Sequence, residues 1–298
     1  MAKKDSKDKA LSKRGKKELA KQKRRFSVSE LEEALLKRFP AEDAEDWDVM
    51  GLTVGEGALE VTRVAVALDP TVDAIERAAS AGANVLITHH PPFLSGPMKF
   101  SPANSVAENP GAGVWAAIQN RVALMNFHTA LDVSQDAQNI IPSMLGFSTT
   151  GKLLESIPSS KKKGYGAICD LTKSKDGQTS LGQIAARCLS VFGRAPKVWG
   201  NMDKMVSSVA CVTGSAKSVA HKALDKKIDC LICGELGYHD SLELSLAGVA
   251  IIELGHDASE LPLTALLAKT LADIRFPIDE IVMIDQSHNW SYPEAIRL

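Results

Sequence analysis

Two adjacent imidazoles, His89 and His90, end an apolar run in Val85-Leu86-Ile87-Thr88-His89-His90-Pro91-Pro92. Imidazole is the commonest side-chain ligand for a transition metal. Two further stretches carry the same kind of donor. His128 stands four residues before Asp132, and His256 four residues before Glu260. Residues so spaced share one face of a helix. The chain has seven histidines, and four of them fall in these three places. Such nitrogens and carboxylates suit Zn, Mn, Fe, Co or Ni, with enough donors for two divalent ions if one carboxylate bridges. Paired ions lower the pKa of a water and clamp a displacement or ring-opening attack, so the chemistry in view is hydrolysis.

Neighbouring residues of a strand face opposite ways, so His89 and His90 converge only where the strand has ended. Pro91-Pro92 enforces that ending. A strand over 61–68, a helix over 72–81 closed by Gly82, and a strand over 84–88 make a βαβ unit with parallel strands. Sites in such sheets form at the carboxyl ends of strands. A helix over 114–120 and a strand over 122–127 set His128 at another such end. Beyond a polar linker at 156–163, strands are predicted over 164–171, 196–199, 207–213, 228–233, 249–254 and 281–284, and helices over 181–192, 217–226, 238–246 and 258–272. The alternation predicts an α/β fold with mostly parallel central sheets. Ser27 or Ser29 is expected to cap a first helix, with Glu32 as its reciprocal partner.

Composition excludes several classes. Hydrophobic content of 45% and charged content of 24% over 298 residues are ordinary for a soluble globular chain. No apolar run reaches the roughly 18 residues of a membrane span. No signal-peptide core opens the chain, so a cytoplasmic location is expected. Five cysteines do not suggest a disulfide framework, and Cys230-x-x-Cys233 reads as two small residues of a buried strand rather than half a zinc site. Residues 1–25 carry a net charge of +9 and the rest −10. This basic stretch has too little apolar content to order itself and predicts at most weak, unspecific nucleic-acid contact. Trp47, Trp115 and Trp199 are expected in the core. His239-Asp240, after Gly234-Glu235, follow another strand end, where they either line the same cleft or form a solvated pair at a helix start; His128 is expected to orient Asp132.

The strings Trp47-Asp48-x-x-Gly51-Leu52, Thr88-His89-His90-Pro91, His128-Thr129-x-Leu131-Asp132 and Gly255-His256-x-x-x-Glu260 resemble, in order and separation, the motifs of the dinuclear metal-centre family. That family is also known as NGG-interacting-factor-like, or GTP cyclohydrolase I type 2 homologue. The resemblance covers roughly residues 28–285. It implies two interleaved α/β lobes assembled as a toroidal homohexamer with metal pairs facing an inner cavity. It implies metal ligation by His89, His90, Asp132, His256 and Glu260, with Asp132 bridging and His128 nearby. The chain then divides into a basic tail (1–25), a first lobe (26–155), a second lobe (156–248) and a strand-helix-strand (249–298) that returns His256 and Glu260 to the site. The activity implied is a metal-dependent hydrolase acting on a nucleotide or another phosphate-bearing small molecule, with Glu235 or His239 as general acid or base. The rival expectation is a non-catalytic, metal-binding or metal-handling scaffold. Two positions depart from the family pattern. Val49 stands where Asn is usual, and the second-lobe glycine-rich turn is reduced to Gly214-Ser215.

Overall fold

The computed structural model describes residues 25–102, 110–172 and 179–290. The basic stretch, but for Arg25, lies outside the described residues. Helix α1 (Val28–Leu36) starts at Ser27, whose hydroxyl accepts the Glu30 amide while the Glu30 carboxylate accepts the Ser27 amide. The capping partner is therefore Glu30, two residues earlier than expected. Glu32 instead accepts the amide of Leu52, tying α1 to strand β1 (Gly51–Val54).

Strand β2 (Val64–Ala67), helix α2 (Val72–Ser80), strand β3 (Val85–Thr88), helix α3 (Pro110–Asn120) and strand β4 (Ala123–Asn126) follow the expected alternation. Every residue of β2, β3 and β4 is buried, which is why each reads as a continuous apolar run. The three strands pair in parallel, and β1 joins β4 antiparallel at one edge. Helices cover both faces. Leu31 and Leu35 of α1 pack on one face, and Ala74, Ile75 and Ala78 of α2 on the other.

The second sheet is reached through three short helices, α4 (Thr129–Asp132), α5 (Gln135–Gln138) and α6 (Ile140–Met144). It opens with strands β5 (Thr149–Ile157) and β6 (Ser160–Asp170). Residues 156–163, expected as a linker, are the tip of the β5–β6 hairpin, with Ser156 paired to Gly164. Exposed lysines on such a hairpin carry the same polar signature as a linker. The second sheet thus begins at Thr149, ahead of the expected lobe boundary at 155. Next come β7 (Thr179–Ser180), α7 (Leu181–Phe192), β8 (Lys197–Trp199), β9 (Met205–Val206), β10 (Ser208–Cys211), α8 (Lys222–Asp225), β11 (Cys230–Cys233), α9 (Tyr238–Leu246) and β12 (Ala250–Glu253). The order is β5-β6-β10-β11-β12-β8, with β10, β11 and β12 parallel at the centre. The helix expected over 217–226 shrinks to α8, because Gly214 at φ +58 opens a run of tight turns before it. Cys230 and Cys233 are fully buried on β11, and burial raises both thiol pKa values.

Helix α10 (His256–Asp273) leaves β12 and returns to the first lobe. Its Leu263, Leu267 and Leu271 are buried in the core under β2 and β3. At roughly 1.5–3 kcal/mol for each buried leucine, this packing anchors α10 firmly despite Pro262 in its interior. Strand β13 (Ile281–Met283) then pairs parallel with β2, completing the first sheet in the order β1-β4-β3-β2-β13. Two expectations about the core fail. Trp47 and Trp115 are 55% and 42% exposed. Trp199 is partly buried, and its indole nitrogen donates to Glu253 at 2.7 Å. No described helix is long and apolar enough to cross a membrane.

Candidate metal centre

The parallel strands of the first sheet deliver their ends to one place. At the end of β3 the Thr88 hydroxyl donates to the His90 carbonyl at 2.7 Å, and the His90 amide leaves the ladder for Leu68 O at 3.0 Å. The chain has turned, so both imidazoles face the same way. Their ring centroids are 4.9 Å apart. The His128 ring, just past β4, lies 5.2 Å from His89 and 5.6 Å from His90. The His256 ring, at the start of α10, lies 5.4 Å from His90.

All four imidazoles have Nδ1 held. His89 Nδ1 donates to the Phe127 carbonyl at 3.1 Å, which leaves Nε2 with a free lone pair. His90 Nδ1 meets Asp69 Oδ1 at 2.7 Å, and His128 Nδ1 meets Asp48 Oδ1 at 3.0 Å. His256 Nδ1 lies 3.2 Å from Glu235 Oε1. Anchoring one ring nitrogen on an acceptor orients the other as a ligand. The free nitrogens converge on carboxylates. His90 Nε2 and His256 Nε2 lie 2.9 and 3.0 Å from Glu260 Oε2. His89 Nε2 lies 3.7 Å from both Asp132 Oδ1 and Glu260 Oε1.

His89 Nε2 is buried and has no hydrogen-bond partner among the described residues, and the buried Glu260 Oε2 is faced by the ring nitrogens of His90 and His256 without a well-aligned hydrogen bond. Buried polar atoms are rarely left so, because desolvation without a bond costs roughly 1–3 kcal/mol each. A divalent cation would satisfy both. The donors form three overlapping groups whose ligand atoms lie within 4.8 Å of one another: His89, His90 and His128; His90, His256 and Glu260; and His89, Asp132 and Glu260. Glu260, rather than Asp132, is the carboxylate common to two groups.

The electrostatics agree. Burial opposes charge on Glu260, yet the facing imidazoles of His89, His256 and His90 hold its carboxyl well below the usual range. Burial likewise opposes protonation of His90, but Asp69 and Glu260 raise it to about 10. Glu260, with Glu235, raises His256 to about 9 against a smaller burial effect. Asp132 moves up, first through burial and then through the charge of Glu260.

The backbone makes room. Gly255 has φ +98 and sits directly before His256. Gly214 has φ +58, and a Cβ there would collide with Glu260 Oε1. The reduced glycine turn therefore lets the chain pass against the buried carboxylate. Thr213 donates its hydroxyl to Asp132 Oδ1 at 3.1 Å.

Of the expected residues, the fold brings together His89, His90, His128, Asp132, His256 and Glu260, with Glu235 behind His256. It does not bring His239, which is exposed at the start of α9 and packs edge-on against Tyr238 at 5.3 Å. Sequence reasoning missed Asp48, Asp69 and Thr213. Asp69 had a signal, since it follows β2 as His89 follows β3. Asp48 lies 80 residues from His128, and only its place in the Trp-Asp string marked it. His128, Asp132, His256 and Glu260 open onto a cleft of about 640 Å³ between the lobes.

Comparison with known proteins finds relatives in both sequence and fold. The family described as Duf34/NIF3 (NGG1p interacting factor 3) matches residues 26–289. A GTP cyclohydrolase 1 type 2 homolog of Streptomyces coelicolor is 30% identical over 253 residues, 83% of this chain and 86% of the relative. A protein of the same name from Clostridium acetobutylicum is 28% identical over 229 residues, 76% of this chain and 82% of the relative. A solved hypothetical protein of Staphylococcus aureus superposes with a TM-score of 0.77 at 22% identity, covering 90% of this chain and 99% of that one.

Proposed function

This chain belongs to the Duf34/NIF3 family, and on that premise we propose that it is a hydrolase working with two divalent cations on a nucleotide or other phosphate-bearing small molecule. The observation that carries this reading is the set of four imidazoles, each anchored through Nδ1, of which His89, His90 and His256 turn their remaining nitrogens toward Asp132 or Glu260. His89, Asp132 and Glu260 would hold one ion, and His90, His256 and Glu260 the other, with His128 beside the first pair of imidazoles. When bound, such ions polarise a phosphoryl or carbonyl oxygen and lower the pKa of water.

The protein's own groups then have distinct tasks. Glu260 fixes the spacing of the two halves. Asp69 and Asp48 hold His90 and His128 in orientation. Thr213 restrains one oxygen of Asp132. Glu235, half-exposed and against His256 Nδ1, is placed to carry a proton between that imidazole and solvent. His239 has no such contact, so Glu235 is the better acid–base candidate. The lobe division, a homohexameric ring and a cytoplasmic location accompany this reading as proposals.

The test uses full-length protein purified with its native metal. Elemental analysis is expected to give about two ions per chain, as the donor set allows. A panel of nucleotides and phosphoesters is expected to show turnover that Asp132→Ala abolishes while the oligomer, sized by light scattering, stays intact. Stoichiometric metal with no turnover on any substrate would leave the metal-handling scaffold as the answer.

A further inference from the structure

Trp47 is a large apolar side chain left 55% exposed at a charged site. It lies in the first lobe, in the loop before β1, and its ring meets His128 edge-on with centroids 5.7 Å apart at 71°. The next residue ties this loop to the start of α4. Asp48 is buried and accepts both the amide and the hydroxyl of Thr129, at 2.9 and 2.6 Å. The indole therefore stands beside His128, one ring away from His89 and His90. On the second lobe Lys217 borders the same cleft, flanked by Ser215 and Ser218. Lys217 is exposed, has no ion-pair partner among the described residues, and is the one Lys or Arg among the described residues lining the cleft. The cleft's carboxylates include Asp132 and Glu260, which face imidazoles, and Glu45, which accepts from the Tyr165 hydroxyl at 2.9 Å.

We propose that Trp47 and Lys217 form a two-point reader for a flat aromatic ring carrying an anionic group, the ring lying on the indole and the anion on the ammonium and its serine hydroxyls. The inference rests on the hydrolase reading above and adds to it the shape of the substrate. An indole face takes a planar ring by stacking without demanding a particular hydrogen-bond pattern. A lysine supplies a compact point charge to a phosphate or carboxylate. The cleft's volume of about 640 Å³ falls in the usual range for small-molecule sites, about 300–1,000 Å³. An aliphatic phosphoester would leave the indole unused.

The experiment is calorimetric titration of the full-length, metal-loaded protein with three probes. Adenosine 5′-monophosphate has both parts, adenosine lacks the phosphate, and ribose 5-phosphate lacks the ring. The wild type is expected to bind the monophosphate tightest. Trp47→Ala should weaken the monophosphate and adenosine at least about fivefold and leave ribose 5-phosphate unchanged. Lys217→Met should weaken the monophosphate and ribose 5-phosphate by about tenfold and spare adenosine. Trp47→Phe and Lys217→Arg keep a ring face and a charge, so they should retain most binding; they stand in if either first variant loses metal or folds poorly. Equal losses for all three probes, no loss, or no binding of the monophosphate by the wild type would overturn the reader. Phosphoester turnover that both variants preserve also sinks the reader and leaves the hydrolase standing. The crossed pattern of losses without turnover on any substrate keeps the reader and sinks the hydrolase.

Discussion

The two lobes meet the site with opposite residues at equivalent places. In the first lobe the parallel strands β2, β3 and β4 run out into Asp69, His89-His90 and His128. In the second, β10, β11 and β12 run out into Gly214, Gly234 and Gly255. One lobe supplies donors; the other supplies space. The glycine ends stack closely, with the Glu235 amide on Gly214 O at 3.1 Å and the Gly255 amide on Gly234 O at 2.9 Å. A Cβ on Gly234 would strike the Gly214 carbonyl and the Ser259 hydroxyl. The donors His256 and Glu260 are then carried across from the end of β12 on α10 rather than on strand ends. Sheets of similar plan can thus build one site if one lobe forgoes side chains where the other projects them.

This contrast can be broken at the donor side first. Glu260→Ala removes the carboxylate common to two donor groups and leaves the facing imidazoles crowded without a counter-charge. Metal affinity should fall by about 100-fold or more, beyond the effect of losing an orienting partner, as read by equilibrium dialysis with elemental analysis. The space side comes next. Gly214→Ala meets both a positive φ and Glu260, whereas Gly82→Ala meets a positive φ with nothing within 4 Å. The strain at φ > 0 costs about 1–2 kcal/mol at either glycine. Only Gly214→Ala should add a further loss of about 1–3 kcal/mol from overpacking, with reduced metal content. Denaturant melts of both variants, compared with each other, check this; equal costs would show that the glycine ends are not there for clearance.

Asp48→Asn tests the anchors behind the imidazoles. It keeps the shape but weakens the grip on His128 and Thr129, so metal affinity should fall by about 10–100-fold with little change in melting. The smallest effect is on protons. Without metal, neighbouring carboxylates raise His90 to about 10 and His256 to about 9, so both are cationic at pH 7.5. Metal requires them neutral. Ion uptake should therefore release protons, and apparent affinity should climb as pH rises toward 9, where these groups begin to give up their protons unaided. Calorimetry in two buffers of different ionisation enthalpy measures the release; buffer-independent heats would count against the imidazoles as ligands.

The donors were legible because chemistry and periodicity coincide at them. An apolar run that ends in His reads as a strand end without knowledge of the sheet, and α/β sheets collect strand ends. The alternation of elements was equally plain, since buried parallel strands and amphipathic helices have different periods. What stayed hidden depended on pairing across the chain. Residues 156–163 read as a linker because an exposed hairpin tip has the same composition. The helix forecast over 217–226 ignored how far a left-handed Gly214 delays helix entry. Aromatic residues usually lie in the core, and Trp47 departs from that rule where it borders the cleft. The resemblance implies Asp132 as the bridge; that Glu260 belongs to two of the donor groups depends on where α10 begins, and no spacing reveals that.

The placement of β13 has a consequence for how the chain is made. The edge of the first sheet and the leucines beneath it come from residues 263–283, behind the whole second lobe. Phe26 packs against Phe276 across that same core, with centroids 6.0 Å apart. On the ribosome, where earlier segments emerge first, the opening lobe must wait with an unsealed flank until residues 263–283 have been made. Nascent chains stalled before residue 256 should accordingly be cut by protease within 26–132, and become resistant only once β13 has emerged.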